Sequence, residues 1–271
     1  MLIIGELINC TRKKVGAAAA ARDAAVIRDL ALRQAAAGAD WLDVNGGLPG
    51  QEPETLAWLV GVVQEVTELP LCLDSSDPAA FRAALPLCRR TPMVSSITGE
   101  ADRFARILPL VQEYGTSVVA LAMGPDATPT GVDDRVDNAA RLVDRLTAEG
   151  IALERIWVDP CVLPISVDTT QGAAVAEAIA VLRERYPGVH TTVGLSNVSF
   201  GLPARRLLNQ AFLALLMARG LDSAIADPCD RQLMALARAA DTLLGRDDFC
   251  AAYIGDYRSG KLEAPAPVSA S

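Results

Sequence analysis

The chain has 271 residues, of which 51% are hydrophobic and 4% aromatic, and its 25 basic and 33 acidic side chains leave a net charge of −8. That length allows one domain or two and supplies ample material for a large core. Acidic residues interspersed with arginine form no basic stripe, which argues against a nucleic-acid partner. No stretch approaches about 18 apolar residues free of charge, so no membrane span is expected.

The opening Met1–Glu6 carries no basic n-region and does not read as a signal peptide. Six cysteines, Cys10, Cys72, Cys88, Cys161, Cys229 and Cys250, are dispersed without a C-x-x-C pair, and His190 is the lone histidine. This is poor material for a metal site, and no protein-bound metal is expected. Buried, reduced thiols of a cytoplasmic protein are the plain reading.

Short apolar runs alternate with longer amphipathic ones. Leu2–Ile8 reads as a strand and Val15–Ala37 as one long Ala-rich helix ended by Gly38. Trp41–Asn45 is the next strand, Pro53–Thr67 a helix, and Leu71–Asp74 a strand. Asp77 is the expected N-cap of the following helix. Met93–Ile97 and Ser117–Met123 read as strands, separated by a helix over Glu100–Tyr114. A helix over Asp133–Glu149 is closed by Gly150. The rhythm continues with strands at Ile156–Asp159, Thr191–Leu195 and Ala224–Asp227, and helices at Gly172–Tyr186, Pro203–Arg219 and Asp230–Leu244.

About eight strand–helix units suit a closed (β/α)8 TIM barrel spanning residues 1–250. A doubly wound open sheet is the alternative, but its G-x-G-x-x-G turn is absent. Residues 251–271 form a C-terminal extension. Its Pro/Ala/Ser-rich end, from Gly260, reads as disordered.

In a barrel the C-terminal strand ends share one mouth, where functional groups gather. The residues expected there are Glu6 and Asn9 from strand one, Asp43 and Asn45 from strand two, and Asp74 from strand three. Ser95 and Ser96 follow from strand four, Met123 from strand five, Asp159 from strand six, Gly194, Ser196 and Asn197 from strand seven, and Asp227 from strand eight. Any one Asp there could simply cap a helix. As a set, carboxylates, amides and hydroxyls with few basic residues suit a neutral heterocycle rich in N–H donors. A carboxylate accepts paired N–H bonds from an amino-pyrimidine.

The strings Ile4-Gly5-Glu6-Leu7-Ile8-Asn9, Leu71-Cys72-Leu73-Asp74-Ser75, Val158-Asp159-Pro160 and Gly194-Leu195-Ser196-Asn197-Val198-Ser199 carry a resemblance. They look like the pterin-binding methyltransferases, which move a methyl group between N5 of tetrahydrofolate and the cobalt of a corrinoid (cobalamin) held by a partner protein. The resemblance spans roughly residues 1–250.

It implies that Asp74 and Asp159 accept the pterin N–H groups and that Asn197 sits near N5. Gly194 and Ser196 allow close approach of the ring, and Asn9, Arg205 and Ile225 line the pocket. It also implies tetrahydrofolate or methyltetrahydrofolate as substrate, a separate corrinoid protein as partner, and a homodimer. One position departs: Ser95 stands where the family usually carries Asn. Two further readings stay open on the residues, a dihydropteroate synthase-like enzyme and a non-catalytic folate-binding barrel. The first lacks the histidine-bearing cluster near strands seven and eight that a pterin pyrophosphate needs.

Overall fold

A computed structural model describes residues 1–48, 50–124 and 128–262. Its strands are β1 (Leu2–Asn9), β2 (Trp41–Asn45), β3 (Leu71–Asp74), β4 (Met93–Ile97), β5 (Ser117–Leu121), β6 (Ile156–Asp159), β7 (His190–Thr191) and β8 (Ser223–Ala226). All neighbouring pairs are parallel, in the order β7-β6-β5-β4-β3-β2-β1-β8. Gly194 bridges Ile225, and the Ile225 N–H donates to the Val193 carbonyl at 2.9 Å, which brings the β7 and β8 edges together. The expected (β/α)8 barrel is therefore the fold.

The helices are α1 (Lys13–Ala20), α2 (Ala24–Ala36), α3 (Glu52–Gln64), α4 (Pro78–Ala84), α5 (Ala101–Glu113), α6 (Val132–Ala148), α7 (Gln171–Arg185), α8 (Arg205–Ala218), α9 (Arg231–Leu243) and α10 (Ala251–Arg258). The strand period of two sorts each strand's residues between two cores. Outward residues such as Leu42, Leu73, Val94, Val118 and Val158 pack under the helices. Inward residues Ile4, Cys72, Met93, Val119 and Trp157 fill the barrel. Among the described residues no helix is long and apolar enough to cross a membrane.

Three expectations need correction. The single helix over Val15–Ala37 is two, α1 and α2. Arg22 takes a left-handed conformation (φ 54°) between them, and Asp23 restarts the helix by accepting the Ala25 N–H at 3.1 Å. Strand five stops at Leu121, because the Met123 N–H turns back onto the Leu121 carbonyl at 2.7 Å. Strand seven is His190–Thr191 alone. Beyond it the chain bends into a 3-10 turn over Leu195–Asn197, where the Asn197 N–H donates to the Gly194 carbonyl at 3.2 Å.

Other local expectations stand. Asp77 caps α4 through the Ala79 N–H at 2.8 Å, and Gly38 and Gly220 leave α2 and α8 with φ of 96° and 103°. The C-terminal extension begins with α10. Gly260–Leu262 then form a turn in which the Gly260 carbonyl accepts from Arg231 at 2.7 Å. The disorder expected for the remainder concerns residues 263–271, which lie outside the described residues.

Candidate functional site

The polar ring at the mouth follows from the same period of two. The inward apolar layer holds Ile4, Trp41, Cys72, Met93, Val119, Trp157 and Ile225. Two residues further along each strand stand Glu6, Asp43, Asp74, Ser95, Leu121, Asp159 and Asp227. One pleat step thus converts a hydrophobic barrel floor into a layer that is polar except at Leu121, and all seven line one cavity of about 720 Å³. Register aligns some of them directly, Asp74 beside Ser95 and Leu121 beside Asp159, and staggers others by one layer, Asp43 lying beside Cys72 and Ser95 beside Val119 of the floor.

Asp43 is the deepest carboxylate. It is 3% exposed, and its Oδ1 has no hydrogen-bond partner. Burial, and then the neighbouring Asp74 charge, push its carboxyl well above the usual range. Asp74 is raised by burial too, and the Asn45 amide opposes this by donating to its Oδ2 at 2.8 Å. Burial lifts Asp159 to about 6, against the backbone N–H groups of Cys161 (2.8 Å) and Gly194. A buried carboxylate layer short of donors is suited to a ligand that brings its own N–H groups.

The opposite wall comes from the loop after β7. Ser196 Oγ donates to Glu6 Oε1 at 2.9 Å, tying that loop to β1, while Arg12 pairs with the same oxygen at 2.7 Å. Burial raises the Glu6 carboxyl, and Arg12 opposes the shift. Asn197 is exposed to the cavity at the end of its turn. Arg205 holds the loop from α8: Nη2 donates to the Ser196 carbonyl at 2.6 Å and Nε to Ser199 Oγ at 3.1 Å.

Two other arginines brace the rim from behind. Arg103 donates to the carbonyls of Ser75 (3.0 Å) and Ser96 (2.9 Å), fastening the ends of β3 and β4. Arg135 is fully buried and donates to the Cys161 carbonyl at 3.2 Å and to Gln171 Oε1, anchoring the loop that follows Asp159.

Of the residues expected at the mouth, Glu6, Asn9, Asp43, Asp74, Ser95, Ser96, Asp159, Gly194, Ser196, Asn197, Arg205 and Ile225 line the cavity together. Met123 does not: once β5 ends, Leu121 and Val119 take that wall. Asn45 does not either, and instead supports Asp74 from behind.

The expected scarcity of basic groups is also corrected, since Arg12, Arg205 and Arg206 stand at the rim. Arg205 alone was expected, through the family resemblance; all three sit in loops or on a helix start, so a list of strand ends omits them. Phe200 and Asn209 were missed for the same reason. The one available signal was the i, i+4 spacing of Arg205 and Asn209 on α8, which puts both on one face. His190 lies at the far end of the barrel, with its ring stacked on Trp157 at 4.4 Å and Nδ1 3.1 Å from Asp222. Among the described residues, no group of three or more His, Cys, Asp or Glu side chains could hold a metal ion.

Comparison with known proteins places this geometry in a family. The pterin binding enzyme family matches residues 5–227. Methylcorrinoid:tetrahydrofolate methyltransferase of Eubacterium limosum is 40% identical over 273 residues, covering 100% of both chains. Methionine synthase of Mycobacterium leprae is 33% identical over 239 residues, which are 83% of this chain and 20% of that much longer one. Among solved structures, dihydropteroate synthase from Thermus thermophilus superposes with a TM-score of 0.65 over 90% of this chain and 93% of its own. At 17% identity that likeness is one of fold alone. A family match over most of the barrel and a relative similar along the whole length lead to one conclusion: the chain belongs to the pterin-binding enzymes.

Proposed function

We propose that this protein is a methyltransferase that passes a methyl group between the cobalt of a corrinoid, carried by a partner protein, and N5 of tetrahydrofolate. The observation that carries the reading is the convergence of Asp74, Asp159 and Asn197 on one cavity of about 720 Å³, ample for a pterin. The full-length similarity to a methylcorrinoid:tetrahydrofolate methyltransferase supports the chemistry and favours tetrahydrofolate as acceptor.

Asp74 and Asp159 accept the ring N–H groups and fix the plane of the pterin. Asn197 faces N5 and orients its lone pair. In the acceptor direction the N5 lone pair forms the new N–C bond, the Co–C pair stays on cobalt, and the N5 proton leaves to water or a rim carboxylate. In the donor direction N5 takes a proton from water or a rim carboxylate, the Asn197 carbonyl stabilises the resulting charge, and the N–C pair returns to N5 as the methyl leaves for cobalt. The amide serves both directions because it carries a donor and an acceptor. Holding the two reactants in line supplies most of the acceleration. The cavity admits a pterin and not a corrinoid ring, so the corrinoid is presented at the mouth by its own carrier.

We further propose a cytoplasmic homodimer. Six unpaired cysteines suit a reducing compartment. Leu207 and Leu215 on α8, Leu243 at the end of α9 and Tyr257 on α10 are exposed apolar side chains on neighbouring helices, the kind of surface a second copy covers.

The test is transfer of labelled methyl from methylcobalamin to tetrahydrofolate, and the reverse from labelled methyltetrahydrofolate to cob(I)alamin. Asn197→Ala should lower the transfer rate by about 100-fold or more, with a change in folate Kd of less than about tenfold. Tight folate binding with no transfer in either direction would instead identify a binding barrel.

A further inference from the structure

Three arginines ring the mouth of a protein whose net charge is −8. Two are already engaged. Arg12 is paired with Glu6, and Arg205 is bonded to Ser196 and Ser199. Arg206 is different. Its nearest acidic oxygen is Asp230 Oδ2 at 3.9 Å, and its side chain is 76% exposed. Asp230 is itself satisfied without it. Its oxygens accept two bonds from Gln210 Nε2, at 3.1 and 3.0 Å, and the N–H groups of Gln232 and Leu233, each at 3.2 Å. Among the described residues Arg206 therefore makes only this long, solvent-exposed ion pair, with no hydrogen bond to Asp230, and most of its donors face the mouth's solvent.

Two neighbours indicate what those donors serve. Arg206 lies in the first turn of α8, whose N-cap residue, Ala204, offers no side-chain acceptor. The positive pole of this 14-residue helix is thus added to the guanidinium at the rim. Phe200 stands beside them, 63% exposed at the cavity mouth, with the Arg205 guanidinium 5.9 Å from its ring centroid. An exposed aromatic ring and cations at one mouth supply the two kinds of group that the outer half of a folate calls for, a face for its aminobenzoyl ring and charge for its glutamate carboxylates.

We propose that this rim is a subsite for the poly-γ-glutamyl tail of folate, with Arg206 reading the carboxylates beyond the first glutamate. The proposal rests on the folate reading above and deepens it by naming the substrate class. Each γ-linked glutamate adds one carboxylate and one negative charge. A chain as acidic as this one repels such a tail everywhere except where cations gather. On this proposal a preference for longer tails arises at this rim, where Arg206 is the arginine with the fewest contacts.

Calorimetric titration of the full chain with the mono- and triglutamates of 5-methyltetrahydrofolate tests it. At about 50 mM salt the triglutamate should bind about five- to tenfold tighter, and the ratio should shrink toward unity at about 500 mM. Arg206→Ala should bring the low-salt ratio to about one, Arg206→Glu should invert it, and Arg206→Lys should keep most of it. Equal affinities in the unaltered protein overturn the proposal, as does a ratio that survives both Arg206→Ala and Arg206→Glu. A protein that binds the monoglutamate without preference keeps the folate reading and loses this one. A protein that binds neither loses both.

Discussion

A Cβ placed on Gly194 would stand 3.1 Å from Nδ2 of Asn197, closer than side chains ordinarily approach. Gly194 sits at φ −72°, a conformation open to any residue, so alanine there meets no backbone strain. The glycine is required by its neighbour instead. Gly194→Ala is expected to push the Asn197 amide aside by a few tenths of an ångström. Methyl transfer should fall about tenfold while the melting temperature moves by less than about 2 °C. Paired kinetics and thermal melts check this, and a large loss of stability with an unchanged rate would refute it.

Asp159 couples binding to pH. An unfolded Asp titrates near 3.9, whereas burial raises this one to about 6 in the folded chain. Between those values the folded state holds the extra proton. Stability from this group is therefore full at low pH, falls as pH rises from about 4 to about 6, and stays reduced above that.

The shift corresponds to an upper bound of about 3 kcal/mol. Asp159→Asn should accordingly raise the melting temperature at pH 8, have little effect at pH 4, and weaken pterin binding. In the unaltered protein folate affinity should decline below about pH 6, as the acceptor becomes protonated. Melts and titrations between pH 4 and 8 decide the matter. A variant less stable than the parent at pH 8 would contradict the assignment.

Ser95 lies beside Asp74 in the β3–β4 register and lines the cavity. A longer amide there extends further toward the cavity, and it supplies a donor and an acceptor that the hydroxyl places differently. Ser95→Asn is expected to tighten pterin binding by about three- to tenfold, with a stability change below about 1 kcal/mol. Fluorescence titration with tetrahydrofolate reads this directly. Unchanged affinity would mean that the wall around Ser95 does not touch the ring.

The barrel and most of its mouth were legible in the residues. Short aliphatic runs ending in Asp or Ser mark both the strand and the residue that emerges from it, because one pleat step separates the buried layer from the rim. Asp74 and Asp159 could be assigned that way, since a strand sets the direction of its own side chains. Asn45 misled, because an amide at a strand end can face the ligand or brace a neighbour. Met123 misled because a single backbone bond to Leu121 ended the strand early. Val15–Ala37 looked continuous because alanine disguises a break that only Arg22 and Asp23 make.

By itself, then, the sequence determined the barrel, the polar layer above its apolar floor and the family of ligand that layer suits. Those depend on local periodicity and on side-chain chemistry, which every short segment carries within it. Only the tertiary structure decided the rest. Glu6 meets Ser196 across 190 positions of chain, Asn45 turns to Asp74, and Arg206 makes only a long 3.9 Å ion pair with Asp230, whose oxygens Gln210 already fills. Such pairings depend on which elements closure of the barrel brings side by side, and no local pattern encodes a partner that lies so far away in the chain.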